Sequence, residues 1–197
     1  MNKDKEKPQG ARALLIEYFA EMVRVVLISL AIILPVRYFL IQPFYVKGAS
    51  MEPTYNDHEY LIINEIAYRL REPERGEVVV FRYPNDPSQF FIKRVVGLPG
   101  ETVVVGKGRV KILSAARSEG YYLDESDYLA SGTYVAGDRR VTLGQNEFYV
   151  LGDNRGSSLD SRVFGPVPRK NIVGRVWLRG WPLEKAAVFK LPTYETQ

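Results

Sequence analysis

Hydrophobic and polar positions divide the chain into two textures. Residues 1–12 are mostly charged or polar and carry Pro8 and Gly10, as a solvated terminus does. Val25 to Val36 then runs without a charge, and the stretch widens to Met22–Ile41 with Arg24 and Arg37 near its ends. About twenty residues is the length of helix that crosses a bilayer core, whereas an apolar run of ten to fourteen is more often a buried core helix. Three features favour the membrane. Arginines near the ends of a span can snorkel to the interface. Tyr18, Phe19, Tyr38 and Phe39 flank the run as interfacial aromatics do. Lys3, Lys5, Lys7, Arg12 and Arg24 precede its centre while only Arg37 and Lys47 follow closely, which places the N-terminus in the cytoplasm. A cleaved leader would need small residues just after the run. None occurs before Gly48, so the segment reads as retained. The pattern predicts a cytoplasmic segment over 1–21, a transmembrane helix over 22–41 and an extracytoplasmic domain over 42–197.

Beyond Gln42 the period shortens. Phe44–Val46, Tyr60–Ile63, Glu77–Phe81, Phe90–Val96, Thr102–Val105 and Glu147–Leu151 are short β-branched and aromatic runs separated by turn residues, and they predict strands. Gly106-Lys-Gly108 between Val-rich runs predicts a hairpin turn. Only Ile63–Arg71 looks briefly helical, and Ser114–Gln145 is weakly patterned, as an insertion or lid would be. Such spacing predicts a mainly β barrel or sandwich.

Composition narrows the chemistry. The 197 residues are 46% hydrophobic and 25% charged, which excludes disorder along the whole chain. A net charge of +4 is too mild to argue for nucleic acid. The chain has no cysteine, so thiol proteases, Cys-ligated metal centres and disulfide frameworks are excluded. A single histidine, His58, excludes a His-x-x-x-His zinc site and leaves one candidate base for a Ser-His-Asp triad. Neither a metal nor a cofactor is expected.

Three segments carry candidate chemistry. Ser50 lies in Gly48-Ala-Ser-Met-Glu-Pro-Thr54, a turn at the end of a strand, where a hydroxyl is projected and backbone can be approached closely. A turn-stabilising serine is the bland reading of the same residues. A serine nucleophile needs a base: a carboxylate, or a lysine made neutral by desolvation. Lys93 sits in the apolar run Phe90–Val96 beside Arg94. Adjacent strand residues point to opposite faces, so one of this charged pair must face inward. The third segment, Leu151–Arg162, packs three serines, two aspartates and two arginines into twelve residues after a strand.

Taken in order, these motifs resemble bacterial type I signal peptidases, membrane-anchored serine proteases with a Ser/Lys dyad. The resemblance runs through Gly48–Thr54, Arg75–Phe81, Ile92–Glu101, Gly152–Arg162 and Val173–Pro182. It implies Ser50 as acylating nucleophile, Lys93 as general base, Ser158 as the hydroxyl that orients the Lys93 amine, and Asp153, Asp160, Arg94 and Arg162 as supporting ion pairs. It implies a β-rich catalytic core at the outer membrane surface, with an inserted β-region over about 102–146. Phe44, Val46, Met51, Val80 and Ile92 match positions that line shallow pockets for small side chains, so the implied substrate is a secretory preprotein whose signal peptide ends in an Ala-x-Ala-like site. That peptide would lie extended beside Phe44–Lys47 and Phe91–Lys93. Membrane lipid is the other implied partner, and no nucleic acid is.

Two positions depart from the family pattern. Gly48 stands where some members have a serine that helps bind the oxyanion, which leaves the Ser50 backbone N–H with Gly48 backbone as its possible companion. Gly156-Ser157 replaces a common Asp-Asn, while Ser158, Asp160 and Arg162 keep their spacing. Two rival readings are a non-catalytic membrane-anchored β-domain and a self-cleaving Ser/Lys repressor. The second would need a DNA-binding domain where the apolar run lies.

Overall fold

The computed structural model describes residues 10–35, 42–189, 191–192 and 194. The chain divides into two units, Met1–Leu40 and Ile41–Gln197.

The first unit holds helix α1, Ala11–Pro35. It begins well before the expected span and carries Glu17, Glu21 and Arg24. Its large apolar side chains, from Leu14 through Leu34, are exposed. Residues 36–41, the remainder of the expected span, lie outside the described residues. Among the described residues no helix is long and apolar enough to cross a membrane.

The second unit is mainly β, with antiparallel pairing throughout. Its larger sheet runs in the order β1 (Gln42–Tyr45), β2 (Tyr60–Asn64), β11 (Ile172–Trp181), β3 (Val78–Tyr83), β4 (Asp86–Gly97), β9 (Glu147–Leu151) and β10 (Val167–Pro168), and β12 (Ala187–Val188) also pairs with β11. The smaller sheet is β7 (Arg117–Tyr122), β6 (Arg109–Ser114), β5 (Thr102–Gly106) and β8 (Arg139–Thr142). Two short α-helices, α2 (Ala67–Leu70) and α3 (Ser161–Phe164), lie among the strands, with single 3-10 turns at Arg169–Asn171 and Leu183–Lys185.

Burial explains the strand patterns. In β3, Val78 through Phe81 are all buried, because Val78 and Val80 enter one core cluster while Val79 and Phe81 enter another. A strand covered on both faces reads as a continuous apolar run. The smaller sheet alternates instead: Val103, Val105, Val110 and Ile112 point into a third cluster with Val96, Tyr149 and Leu151. Lys107 (φ 50°) and Gly108 (φ 77°) make the two-residue turn between β5 and β6. Left-handed geometry at both central positions matches the twist of a hairpin. β7, β8 and α3 have no clear signal in the sequence. Arg117–Tyr122 exposes four of its six residues, and Arg139–Thr142 is short and almost wholly exposed, so neither shows a buried face.

Candidate active site

Ser50 stands in the loop between β1 and β2. The loop base is closed by Val46 N–H to Glu59 O at 2.9 Å and His58 N–H to Val46 O at 3.1 Å. Met51 and Tyr55 are fully buried among Val46, Leu61, Ile63, Val80 and Val176 and pin the loop from below. Ser50 stays half-buried at its crest. From the other side Asn154 clasps the same turn, donating its N–H to Ser50 O and its side-chain amide to Ala49 O, both at 3.1 Å. Gly152 makes this approach possible. A Cβ there would lie 2.5 Å from Ser50 O and 2.2 Å from Ser158 Oγ.

Lys93 reaches the nucleophile from β4. Its Nζ lies 2.8 Å from Ser50 Oγ and 2.7 Å from Ile92 O, and the residue is 4% exposed. Burial drives its pKa from 10.5 down to about 8, against the opposing pull of the Asp160 and Asp153 carboxylates. Desolvation disfavours the ammonium and leaves a substantial neutral fraction just above neutrality. Arg94 is equally buried. One inward-facing charge was required by strand geometry; both face inward, because β4 is covered on each side at this point.

The neighbouring carboxylates are each paired with an arginine. Arg94 grips Asp153 through two hydrogen bonds, Nε to Oδ1 at 2.8 Å and Nη2 to Oδ2 at 2.6 Å, and donates Nη1 to Gly76 O at 2.7 Å. Thr54 Oγ1 donates to Asp153 at 2.6 Å. Arg162 grips Asp160 in the same two-pronged way at 2.8 Å, and Gly152 N–H donates to Asp160 at 3.1 Å. Burial alone would raise the pKa of Asp160, but the bonds from Arg162 and Gly152 hold it below the ordinary value. Asp160 also caps α3 by accepting from Arg162 N–H.

Ser158 differs from its expected role. No hydrogen bond joins it to Lys93 among the described residues. Its Oγ is buried without a hydrogen bond of ordinary geometry, although it lies near enough to Asp160 to help hold that carboxylate charged. The Gly48 N–H is not free for an oxyanion either: it donates to Asp57 Oδ1 at 2.8 Å. The Ser50 N–H makes no hydrogen bond among the described residues. His58 occupies an exposed turn at φ 67°, bonded to Tyr45 and Asp57 and not to Ser50.

A groove of about 600 Å³ runs past the dyad, lined by Phe44, Val46, Leu61, Phe90, Ile92 and Leu159 among others, with Ser50 and Lys93 in its wall. Met51 and Val80 do not line it. Both are fully buried one layer behind, where they support Val46 and Ile92. Two strand edges flank the groove. Among the described residues β1 pairs only with β2, and Phe90–Lys93 pair with β3 on one side while β9 joins the other only from Arg94 onward, so each segment leaves one strand edge unpaired. Unpaired edges of this kind accept an extended peptide as an added strand.

Sequence reasoning assigned no role to Thr54, Asn154, Arg155, Glu125 or Tyr128. Arg155 is buried, donates Nε to Gly152 O at 2.9 Å and pairs with Glu125 at 2.5 Å. Tyr128 lies over Arg94, with the guanidinium carbon 4.0 Å from the ring centre. Asn154 and Arg155 stand inside the Leu151–Arg162 motif, but Glu125 and Tyr128 lie in the weakly patterned stretch, where nothing marks them.

Comparison with known proteins identifies the family. The profile of the family described as signal peptidase, peptidase S26, matches residues 19–181. A probable signal peptidase I-2 of Synechocystis sp. is 38% identical over 193 residues, covering 95% of this chain and 82% of the relative. Signal peptidase I of Leptolyngbya laminosa is 38% identical over 173 residues, covering 84% and 81%. Signal peptidase I of Pseudomonas aeruginosa is 33% identical over 211 residues, covering 84% and 73%. A match that spans most of the helix, the serine loop, the lysine strand and the paired-carboxylate segment places the chain in the signal peptidase, peptidase S26, family.

Proposed function

We propose that the protein is a signal peptidase I, a serine endopeptidase that removes signal peptides from secretory preproteins after an Ala-x-Ala-like site. The observation that carries this reading is the 2.8 Å contact between a buried Lys93 amine and Ser50 Oγ in the wall of a groove edged by unpaired strands. In the reaction, neutral Lys93 takes the Ser50 proton as Oγ attacks the scissile carbonyl. The Ser50 N–H donates to the developing oxyanion. Collapse breaks the C–N bond, and the Lys93 ammonium returns its proton to the departing amine of the mature chain. The signal peptide is then esterified to Ser50. Water attacks this ester, again giving its proton to Lys93, and the ester bond breaks to release the signal peptide and restore the hydroxyl.

Arg94 and Arg162 neutralise the carboxylates that would otherwise favour a charged Lys93, and Ser158 supports Asp160 from the same side. Phe44, Val46 and Ile92 wall the shallow subsites that admit alanine.

Residues 22–41 anchor the catalytic domain in the cell membrane as a single span, with 1–21 cytoplasmic and 42–197 outside. This reading rests on the charge-free run Val25–Val36, on apolar side chains exposed along α1, and on the excess of basic residues before the run. An all-round apolar helix is unstable in water and at home in lipid. Anchoring in the substrate's own bilayer raises the effective concentration of enzyme.

The test is cleavage of a preprotein by the full chain in detergent, beside Ser50→Ala and Lys93→Ala. Each variant should lose about 10⁴-fold or more in rate while folding normally. Near-wild-type cleavage by either would overturn the dyad.

A further inference from the structure

A tyrosine with no part in the proton transfer is placed to control the base. The weakly patterned loop after β7 enters the layer behind the dyad at two points. Glu125 accepts from buried Arg155 at 2.9 and 2.5 Å, and Arg155 in turn holds Gly152 O. Tyr128 is buried, donates its hydroxyl to Glu125 Oε1 at 2.8 Å, and receives a longer contact of 3.5 Å from Tyr194 OH. Its ring face covers the Arg94 guanidinium at 4.0 Å. A cation over an aromatic face is attracted by the ring quadrupole, most strongly when both are desolvated.

The position of this ring decides where Arg94 can go. Arg94 and Tyr128 both line a cavity of about 520 Å³, together with Thr54, Tyr55, Gly76 and Arg175. Without the ring the guanidinium loses the cover on its face and gains room in this cavity. We propose that Tyr128 is a positioning residue of the peptidase, clamping Arg94 onto Asp153 so that this carboxylate stays neutralised beside Lys93. The inference rests on the function proposed above for Lys93.

The consequence for the base follows from the charges around it. Lys93 on β4 faces Asp153 from the turn after β9 and Asp160 from the start of α3, and each carboxylate favours its ammonium form. Arg94 offsets the first and Arg162 the second. Arg94 also faces Tyr128 and Tyr194, and Arg155 and Glu125 lie behind Tyr128 as a pair. Loosening Arg94 exposes Lys93 to more of the Asp153 charge and raises the pH at which it loses its proton.

The experiment compares wild type, Tyr128→Phe, Tyr128→Leu and a variant carrying pentafluorophenylalanine at 128, each as full chain in detergent. The titration of Lys93 is followed by NMR of its labelled side chain, and kcat/KM is measured against pH. Tyr128→Phe keeps the ring face and should titrate like wild type. Tyr128→Leu should titrate about 0.5 pH unit higher or more, which lowers kcat/KM about threefold on the acid side of the limb. The fluorinated ring keeps the shape, reverses the quadrupole and should follow Leu, so a misfolded Tyr128→Leu leaves the question decidable. A purely structural tyrosine would lower stability without moving the titration. Unchanged Lys93 titration in both the Leu and fluorinated variants overturns the clamp. Lys93 titrations that move as expected in a protein that cleaves no preprotein uphold the clamp and refute the proposed function.

Discussion

Replacing Lys93 by Met should stabilise the protein while abolishing its activity. The folded chain holds an amine in a dry site, and burial brings its pKa from 10.5 down to about 8. Below pH 8 folding must carry a charge into that site. At about 1.36 kcal/mol per pH unit, the interval from 10.5 to about 8 puts the cost near 3 kcal/mol at neutral pH. The sign follows from proton counts. Between pH 8 and 10.5 the unfolded chain binds more protons at this residue than the folded one, so wild-type stability rises with pH through the window. Above 10.5 both states are neutral and the cost is gone. Methionine is unbranched, apolar and of similar length, so it fills the same channel without a charge. Lys93→Met should therefore exceed wild type by about 2–3 kcal/mol at pH 7, with the difference shrinking toward zero by pH 10.5. Other titrating groups cancel in the comparison. The assay is denaturant unfolding of both full chains in one detergent at several pH values, read by Trp177 and Trp181 fluorescence. A difference that stays constant with pH, or a wild type that is the more stable at pH 7, would refute the reasoning.

Gly152→Ala should cost about 1–3 kcal/mol and roughly a hundredfold in kcat/KM, because the new methyl meets Ser50 O at 2.5 Å and Ser158 Oγ at 2.2 Å; preprotein cleavage and thermal unfolding measure both. Ser158→Ala should slow cleavage by about 10–100-fold, less than loss of Lys93, since it supports the base through Asp160 and does not take the proton; rates compared at one pH check this. His58→Ala should keep most activity, within about threefold, because the ring lies in an exposed turn away from Ser50; a loss like that of Lys93→Ala would return the imidazole to the mechanism.

What the sequence made legible was set by burial. Strands announce themselves where both faces are covered, as in Val78–Phe81 of the larger sheet, or where one face is, as at Val103 and Val105 of the smaller. The lysine strand was readable because a charge inside an apolar run needs a partner. Its partner serine was readable only as a turn, since nothing local says that residues 50 and 93 meet. The contacts that join Thr54 to Asp153 and Glu125 to Arg155 link residues far apart in the chain through single side chains, and no periodicity encodes them. The pocket was legible in kind and not in depth. Met51 and Val80 are as apolar as Val46 and Ile92, and only the three-dimensional packing separates wall from support.

The electrostatics of the dyad rest on how the carboxylates near it are cancelled. A lysine base must be neutral to act, yet Asp153 and Asp160 both favour its charged form. Removing their charge by protonation would leave two buried acids lacking their ionic partners and would dismantle the turns they hold. The chain instead gives each carboxylate an arginine. A lysine in either place would be desolvated in its turn and would titrate in the same range as the base it protects, whereas a guanidinium stays charged and binds a carboxylate through two parallel bonds. Strand geometry makes the arrangement economical in residues. Lys93 and Arg94 are neighbours on β4 and point to opposite faces, so one strand delivers the base to Ser50 and the counter-charge to Asp153. The burial of both residues, unusual for adjacent cations, thus has one cause: the base is useful only while the charge beside it is already matched.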